Sequence, residues 1–234
     1  MKIISKTVLT IMVLSLVSYF SSAQTLKERI DEAKVVKVYF NNSPIAHVSN
    51  FEGSSVSNIA ATGCETFGET TPLTQEYLDA INGLLDILNT GFNTTAFVAG
   101  DFSSVPERTT GIMKGQPDWV AVDEPLMFFV LSNGEYSVKM ESGKGKQNRM
   151  RMYSYMNIYI PNGKKVKILG QKQLASVWTE PISTQKCNDY AYFVEHFPTN
   201  SLVEPFKVSL AENMNKFIAK NMKKYAKAMK KKKK

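Results

Sequence analysis

The chain has 234 residues, 43% of them hydrophobic, with a formal net charge of +8 and only two Cys and two His. That charge is segregated: residues 220–234 hold nine Lys and no acid, while residues 24–219 hold 18 Lys and Arg against 21 Asp and Glu. The body is therefore slightly acidic, so net charge gives no ground for a nucleic-acid-binding surface. Two His and two Cys at no ligand spacing also give no ground for a zinc-type centre.

The amino end has the form of an export signal. Lys2 and Lys6 precede an apolar run over residues 7–20, and Ser21-Ser22-Ala23 offers small residues for cleavage before Gln24. The run is shorter than the ~20 residues that span a bilayer. The well-formed small-residue site argues against an uncleaved anchor, and the cleavage point has no Cys to carry a lipid. The expected organisation is a signal peptide over 1–23, one domain over 24–225 and a lysine-rich tail over 226–234. The mature protein is expected to be exported, periplasmic or secreted, with no transmembrane span.

Residues 26–33 predict a short helix, 35–40 a β-branched and aromatic first strand, and 41–51 a loop turning at Asn42-Ser43-Pro44. Residues 54–70 are small and polar, with a short helix expected at 56–61. A firmer helix is predicted from Thr71-Pro72, with Thr71 as cap and Pro72 in the first helical position. Its apolar positions Tyr77, Leu78, Ile81, Leu84, Leu85 and Leu88 recur at helical spacing, and Gly91 reads as its stop. A strand at 92–98, a long loop at 100–116 and a short apolar run at 119–122 follow, ended by Pro125.

The centre of the chain alternates. Met150, Met152, Met156, Ile158 and Ile160 occupy even positions, with Arg151, Tyr153, Tyr155, Asn157 and Tyr159 between them. That is a strand with one face in a core. Pro161-Asn162-Gly163 predicts a three-residue hairpin loop that sets Ile160 opposite Lys164, Ile158 opposite Val166 and Met156 opposite Ile168. Ser132-Asn133-Gly134 predicts a matching turn that pairs Val130 with Tyr136. Residues 141–148, rich in Gly and Lys, read as an exposed loop between the two hairpins, and 179–188 as a loop before a short strand at 190–194. The last helix is predicted from Ser201, with Glu204 completing a capping box. Its stripe is Phe206, Leu210, Met214, Phe217, Ile218, Met222 and Tyr225, giving way to lysines beyond about residue 227.

This order predicts an α+β fold: a mainly antiparallel sheet, a meander with two Asn-Gly hairpins, packed against a central helix and a long C-terminal helix. The element order over residues 35–225, with the Ile-Pro-Asn-Gly-Lys-Lys-Val hairpin at 160–166, resembles exported envelope domains of the TolB amino-terminal and curli-secretion-protein types. That resemblance implies a non-enzymatic envelope module.

Candidate chemistry is sparse. Cys64 and Cys187 would pair in an oxidising compartment if their backbones lie within reach, or remain two unpaired thiols. Cys187 precedes His196 by nine residues, which matches no nucleophile motif. His47 and His196 read as surface or hydrogen-bonded residues. Asp118, Asp123 and Glu124 around Trp119 have the composition of a sugar site, or else hold the ends of a short strand in water. Gly143-Lys144-Gly145-Lys146 lacks the strand-to-helix context of a phosphate loop.

No catalytic residue, metal or cofactor is therefore assigned. Two binding surfaces are. Tyr153, Tyr155 and Tyr159, with Arg149 and Arg151, suit protein or glycan contacts, unless the long helix covers that face and makes them core. Lys230, Lys231, Lys232, Lys233 and Lys234 suit anionic lipid headgroups, acidic polysaccharide or an acidic partner, unless they form only a solvated helix end. The functional expectation is an exported, non-enzymatic envelope interaction or assembly protein of unknown partner. The alternative is a small-ligand-binding or hydrolytic domain with a pocket between sheet and helices.

Overall fold

The computed structural model describes residues 24–47, 70–141, 145–162, 165–180, 182–183, 195–198 and 200–232. The expected signal peptide, the helix at 56–61, the strand at 190–194, Cys64, Cys187, Lys233 and Lys234 lie outside these residues.

Helix α1 spans Leu26–Ala33 as expected, and its start has a physical cause. The Thr25 hydroxyl accepts from the Glu28 amide at 3.4 Å, while the Glu28 carboxylate accepts from the Thr25 amide at 2.8 Å, a capping box. Strand β1 follows at Val36–His47, seven residues longer at its end than its apolar run suggests, because both its edges find partners. Then come β2 (Thr70–Thr71), α2 (Gln75–Asn82), α3 (Leu84–Phe92) and β3 (Phe97–Gly100). Helices α2 and α3 are one bent unit that turns at Gly83. This unit starts later than Thr71-Pro72, and it ends at Asn93, in the left-handed conformation at φ 48°, rather than at Gly91.

The remaining elements are β4 (Met127–Glu141), β5 (Gly145–Asn162), β6 (Lys165–Trp178), β7 (Ile182–Ser183) and α4 (Val203–Lys232). The sheet runs β2-β1-β4-β5-β6, with β3 also on β1 and β7 also on β5. Strand β1 is parallel to β3 and β4, and every other pair is antiparallel. The fold is α+β, a mixed and mostly antiparallel sheet against the bent helix and the long C-terminal helix.

The expected inward face is the observed one. Met150, Met152 and Met156 are fully buried and Ile158 is 4% exposed, under α4 residues Phe206, Leu210, Met214 and Ile218. Two polar residues enter this layer as a matched pair, with the Ser132 and Ser154 hydroxyls 2.9 Å apart.

Both hairpins and the start of α4 differ from expectation. Ser132-Asn133-Gly134 makes no turn: β4 runs straight through it, and Val130 pairs with Met156 rather than Tyr136. A Cβ on Gly134 would lie 2.5 Å from Met152 Sδ and 2.8 Å from Ile45 Cγ1, so packing, not turning, calls for glycine there. The reversal lies instead within the expected loop, since Glu141 pairs with Gly145.

At the second hairpin Asn162 pairs with Lys165, so Ile160 faces Lys167, Ile158 faces Gly170 and Met156 faces Lys172. Near the turn this register puts Val166 beside Tyr159 and the Trp119 cluster. An irregularity that leaves Leu169 unpaired then returns β6 to even-with-even pairing. Finally, α4 opens at Val203, and Glu204 pairs with Lys207 at 2.8 Å instead of closing a box with Ser201.

Candidate functional site

The odd residues of β5 point away from the helices, so among the described residues the long helix does not cover the tyrosines. The ladder divides in two. Tyr159 stacks on Trp119 at 5.3 Å and 20°, inside a second cluster with Tyr39, Val105, Met127, Phe102 and Phe129. The segment between β3 and β4 thus caps this end of the sheet, and Tyr159 is a packing residue. Burial pushes its phenol above the usual range.

At the other end the Arg149 guanidinium lies 3.9 Å from the Trp178 ring, and Arg151 lies 4.6 Å from Tyr153 and 5.0 Å from Trp178. Arg151 also pairs with Glu135 at 3.5 Å and donates to Ser176 Oγ at 3.3 Å. Tyr155 packs edge-on to Tyr153 at 5.7 Å. Cation–π contacts of this kind are worth about 0.5–2 kcal/mol each. Arg151 is thus shared among a carboxylate, a hydroxyl and two rings. Such a clamp holds β4, β5 and β6 together across their registers. Glu135 and Trp178 escape a reading of the sequence, because only the register places both opposite Arg151.

The lysine-rich end is helical to Lys232. Met222, Tyr225 and Met229 are half-buried, while Lys220, Lys223, Lys224, Lys227 and Lys230 are exposed. The apolar stripe therefore continues past residue 227. Lys232 reaches Glu28 of α1 at 2.7 Å. That contact, with the Thr25 amide, holds the Glu28 carboxyl down at about 2.

Between α1, the outer edge of β6, which has no partner strand among the described residues, and α4 lies a groove of about 600 Å³. Six cations line it: Arg29, Lys167, Lys172, Lys216, Lys220 and Lys224. No carboxylate is among its lining residues. Its apolar floor is Leu26, Ile158, Leu169 and Phe217. Gly170 opens it, since a Cβ there would meet nothing within 4 Å. None of the six cations is assigned to a site by the sequence, and they come from three separate elements.

The acids around Trp119 do not form a cleft. Trp119 is 8% exposed within its aromatic cluster, Asp118 accepts from the Val120 amide at 3.2 Å, and Glu124 pairs with Lys37 at 2.6 Å. Asp123 and His196 are exposed, away from the groove. Among the described residues no three His, Cys, Asp or Glu come together as metal ligands, and no helix is long and apolar enough to cross a membrane.

No family model matches the chain, and neither does any curated protein. The likeness to TolB-type and curli-secretion domains thus gains no support from these comparisons. Among solved structures, a putative neuraminyllactose-binding hemagglutinin homolog from Helicobacter pylori matches at 10% identity and TM-score 0.31, over 85% of this chain and 90% of that one. The hypothetical protein CT253 from Chlamydia trachomatis matches at 10% identity and TM-score 0.29, over 80% and 95%. With TM-scores this low, neither match bears on function.

Proposed function

We propose that this is an exported, non-catalytic module of the cell envelope that α4 docks onto an anionic surface. The observation that carries the reading is the helical continuation of the basic segment to Lys232, with Lys223, Lys227 and Lys230 exposed and Met222 packed against the core. A helix already ordered loses little conformational entropy on docking. Each Lys brought to an anionic membrane surface contributes about 1 kcal/mol. The export reading comes from the amino-terminal charge, apolar run and small-residue site.

The test is sedimentation of the mature chain with vesicles of phosphatidylglycerol and phosphatidylcholine, with phosphatidylcholine alone, and with an acidic polysaccharide. A chain ending at Ala226 lacks six of the lysines. Full-length protein is expected to bind anionic material, to be released by salt, and to weaken at least about tenfold on truncation. Lipid and polysaccharide arms separate the two sources of the same phosphate or carboxylate chemistry. Equal binding to neutral vesicles, or full retention by the truncated chain, overturns the proposal.

A further inference from the structure

We infer that the groove between α1, β6 and α4 is a discrete site for a phosphate-headed amphiphile, separate from the surface formed by the end of α4. The first support is its charge. Several lysines outside the groove have carboxylate partners: Lys37 with Glu124 at 2.6 Å, Lys207 with Glu204 at 2.8 Å, Lys232 with Glu28 at 2.7 Å. In the groove Lys216 has Glu212 at 3.3 Å, but Lys167, Lys172, Lys220 and Lys224 have no ion pair among the described residues. Like charges lining one groove repel one another, and more so where solvent screening is reduced. A monocarboxylate would neutralise one of them, whereas a phosphate brings a charge of about −1.5 to −2 and three strong acceptor oxygens.

The second support is shape. Lys216, Lys220 and Lys224 recur every four residues and so line one side of α4. Lys167 and Lys172 stand across from them on β6. Between them the unpaired Leu169 and the side-chain-free Gly170 interrupt the strand edge and open the floor. That floor is Leu26, Ile158, Leu169 and Phe217. Small-ligand sites typically enclose about 300–1,000 Å³ behind an apolar lining with a few placed polar groups, and the groove has about 600 Å³. Cations at the rim and hydrocarbon beneath fit a ligand with an acidic head and an apolar body. The same chemistry is met in a lipid headgroup with the start of its acyl chains and in a free apolar phosphate monoester.

The experiment is calorimetric titration of the mature chain with inorganic phosphate, phenyl phosphate, dihexanoyl phosphatidate and dihexanoyl phosphatidylcholine, the lipids below their micellar concentrations. Phosphatidate is expected to saturate one site, at least about tenfold tighter than inorganic phosphate, while phosphatidylcholine does not. Phenyl phosphate matching phosphatidate would assign the site to soluble monoesters, and phosphatidate ahead of it to lipid; either sustains the inference. The double variant Lys167→Glu, Lys172→Glu should abolish the binding, and so should Gly170→Leu, which fills the opening. Both leave vesicle binding by the end of α4 in place. The chain ending at Ala226 keeps all six groove cations and should bind phosphatidate as the mature chain does. No saturable binding, unchanged binding in the double variant, or loss on truncation each overturns the inference. In that case the lysines of β6 act only as charges that guard the outer sheet edge.

Discussion

The two halves of α4 share one helix and differ in everything that holds them. From Val203 to Ile218 the inner side is core: Phe206, Leu210, Met214 and Ile218 are each at most 5% exposed. From there to Lys232 no residue is fully buried, and the inner positions Met222, Tyr225 and Met229 are only half covered. The first half is fixed by hydrophobic burial. The second is fixed by propagation from an existing helix, which adds one hydrogen bond per residue, and by the contact of Lys232 with Glu28. The lesson is that a basic end can be positioned without being stabilised much.

The sharpest way to break this division is to compare substitutions in each half. Phe206 is fully buried, edge-on to Tyr77 at 5.5 Å. Phe206→Ala should cost about 3–5 kcal/mol in urea unfolding, and Lys227→Ala no more than about 0.5 kcal/mol. Similar losses at the two positions would show that the halves are not distinct.

A smaller effect is expected where α4 meets α3. A Cβ on Gly91 would lie 2.5 Å from Ile218 Cδ1 and 2.9 Å from its Cγ2. Gly91→Ala gains about 1 kcal/mol of helix propensity, but overpacking of about 1–3 kcal/mol opposes it. The net expectation is a modest destabilisation that largely disappears in an Ile218→Ala background. A double-mutant cycle reads this as a coupling of at least about 0.5 kcal/mol; additive losses would place the contact elsewhere.

The smallest effect concerns the far end. Glu28 is lowered from 4.5 to about 2 in the folded protein, chiefly by the Lys232 hydrogen bond and then by the Thr25 amide. A carboxyl depressed on folding contributes stability that is fully present above its unfolded value and fades as pH falls towards the folded one. The contact should therefore hold above about pH 4.5 and be lost on approaching pH 2. Carboxyl NMR titration should show the Glu28 midpoint rising in Lys232→Met. An unmoved midpoint would assign the depression to the capping box alone.

Local patterns explain much of what could be read in advance. The short helix at residues 26–33, the even-numbered Met and Ile of β5 and the apolar stripe of α4 each express a short-range rule about helix formation, strand alternation or helical spacing. The two Asn-Gly pairs mark where such rules stop. Asn162 pairs with Lys165 where β5 gives way to β6, but Asn133-Gly134 lies in mid-strand, where glycine is required by Met152 and Ile45 from neighbouring strands. Tyr159 was read together with Tyr153 and Tyr155, yet the packing of Trp119 from a distant loop makes it a different kind of residue.

By itself the sequence determined the fold class, the buried side of the central strand and the segregation of charge at the carboxyl end, because periodicity and composition act over a few residues. The tertiary structure decided the parallel placement of β1 beside β4, the irregular register of β6 and the gathering of six cations from three elements into one groove. Those depend on which strand edge meets which, and on side chains far apart in the chain competing for the same volume, and neither quantity is a local property of the residues involved.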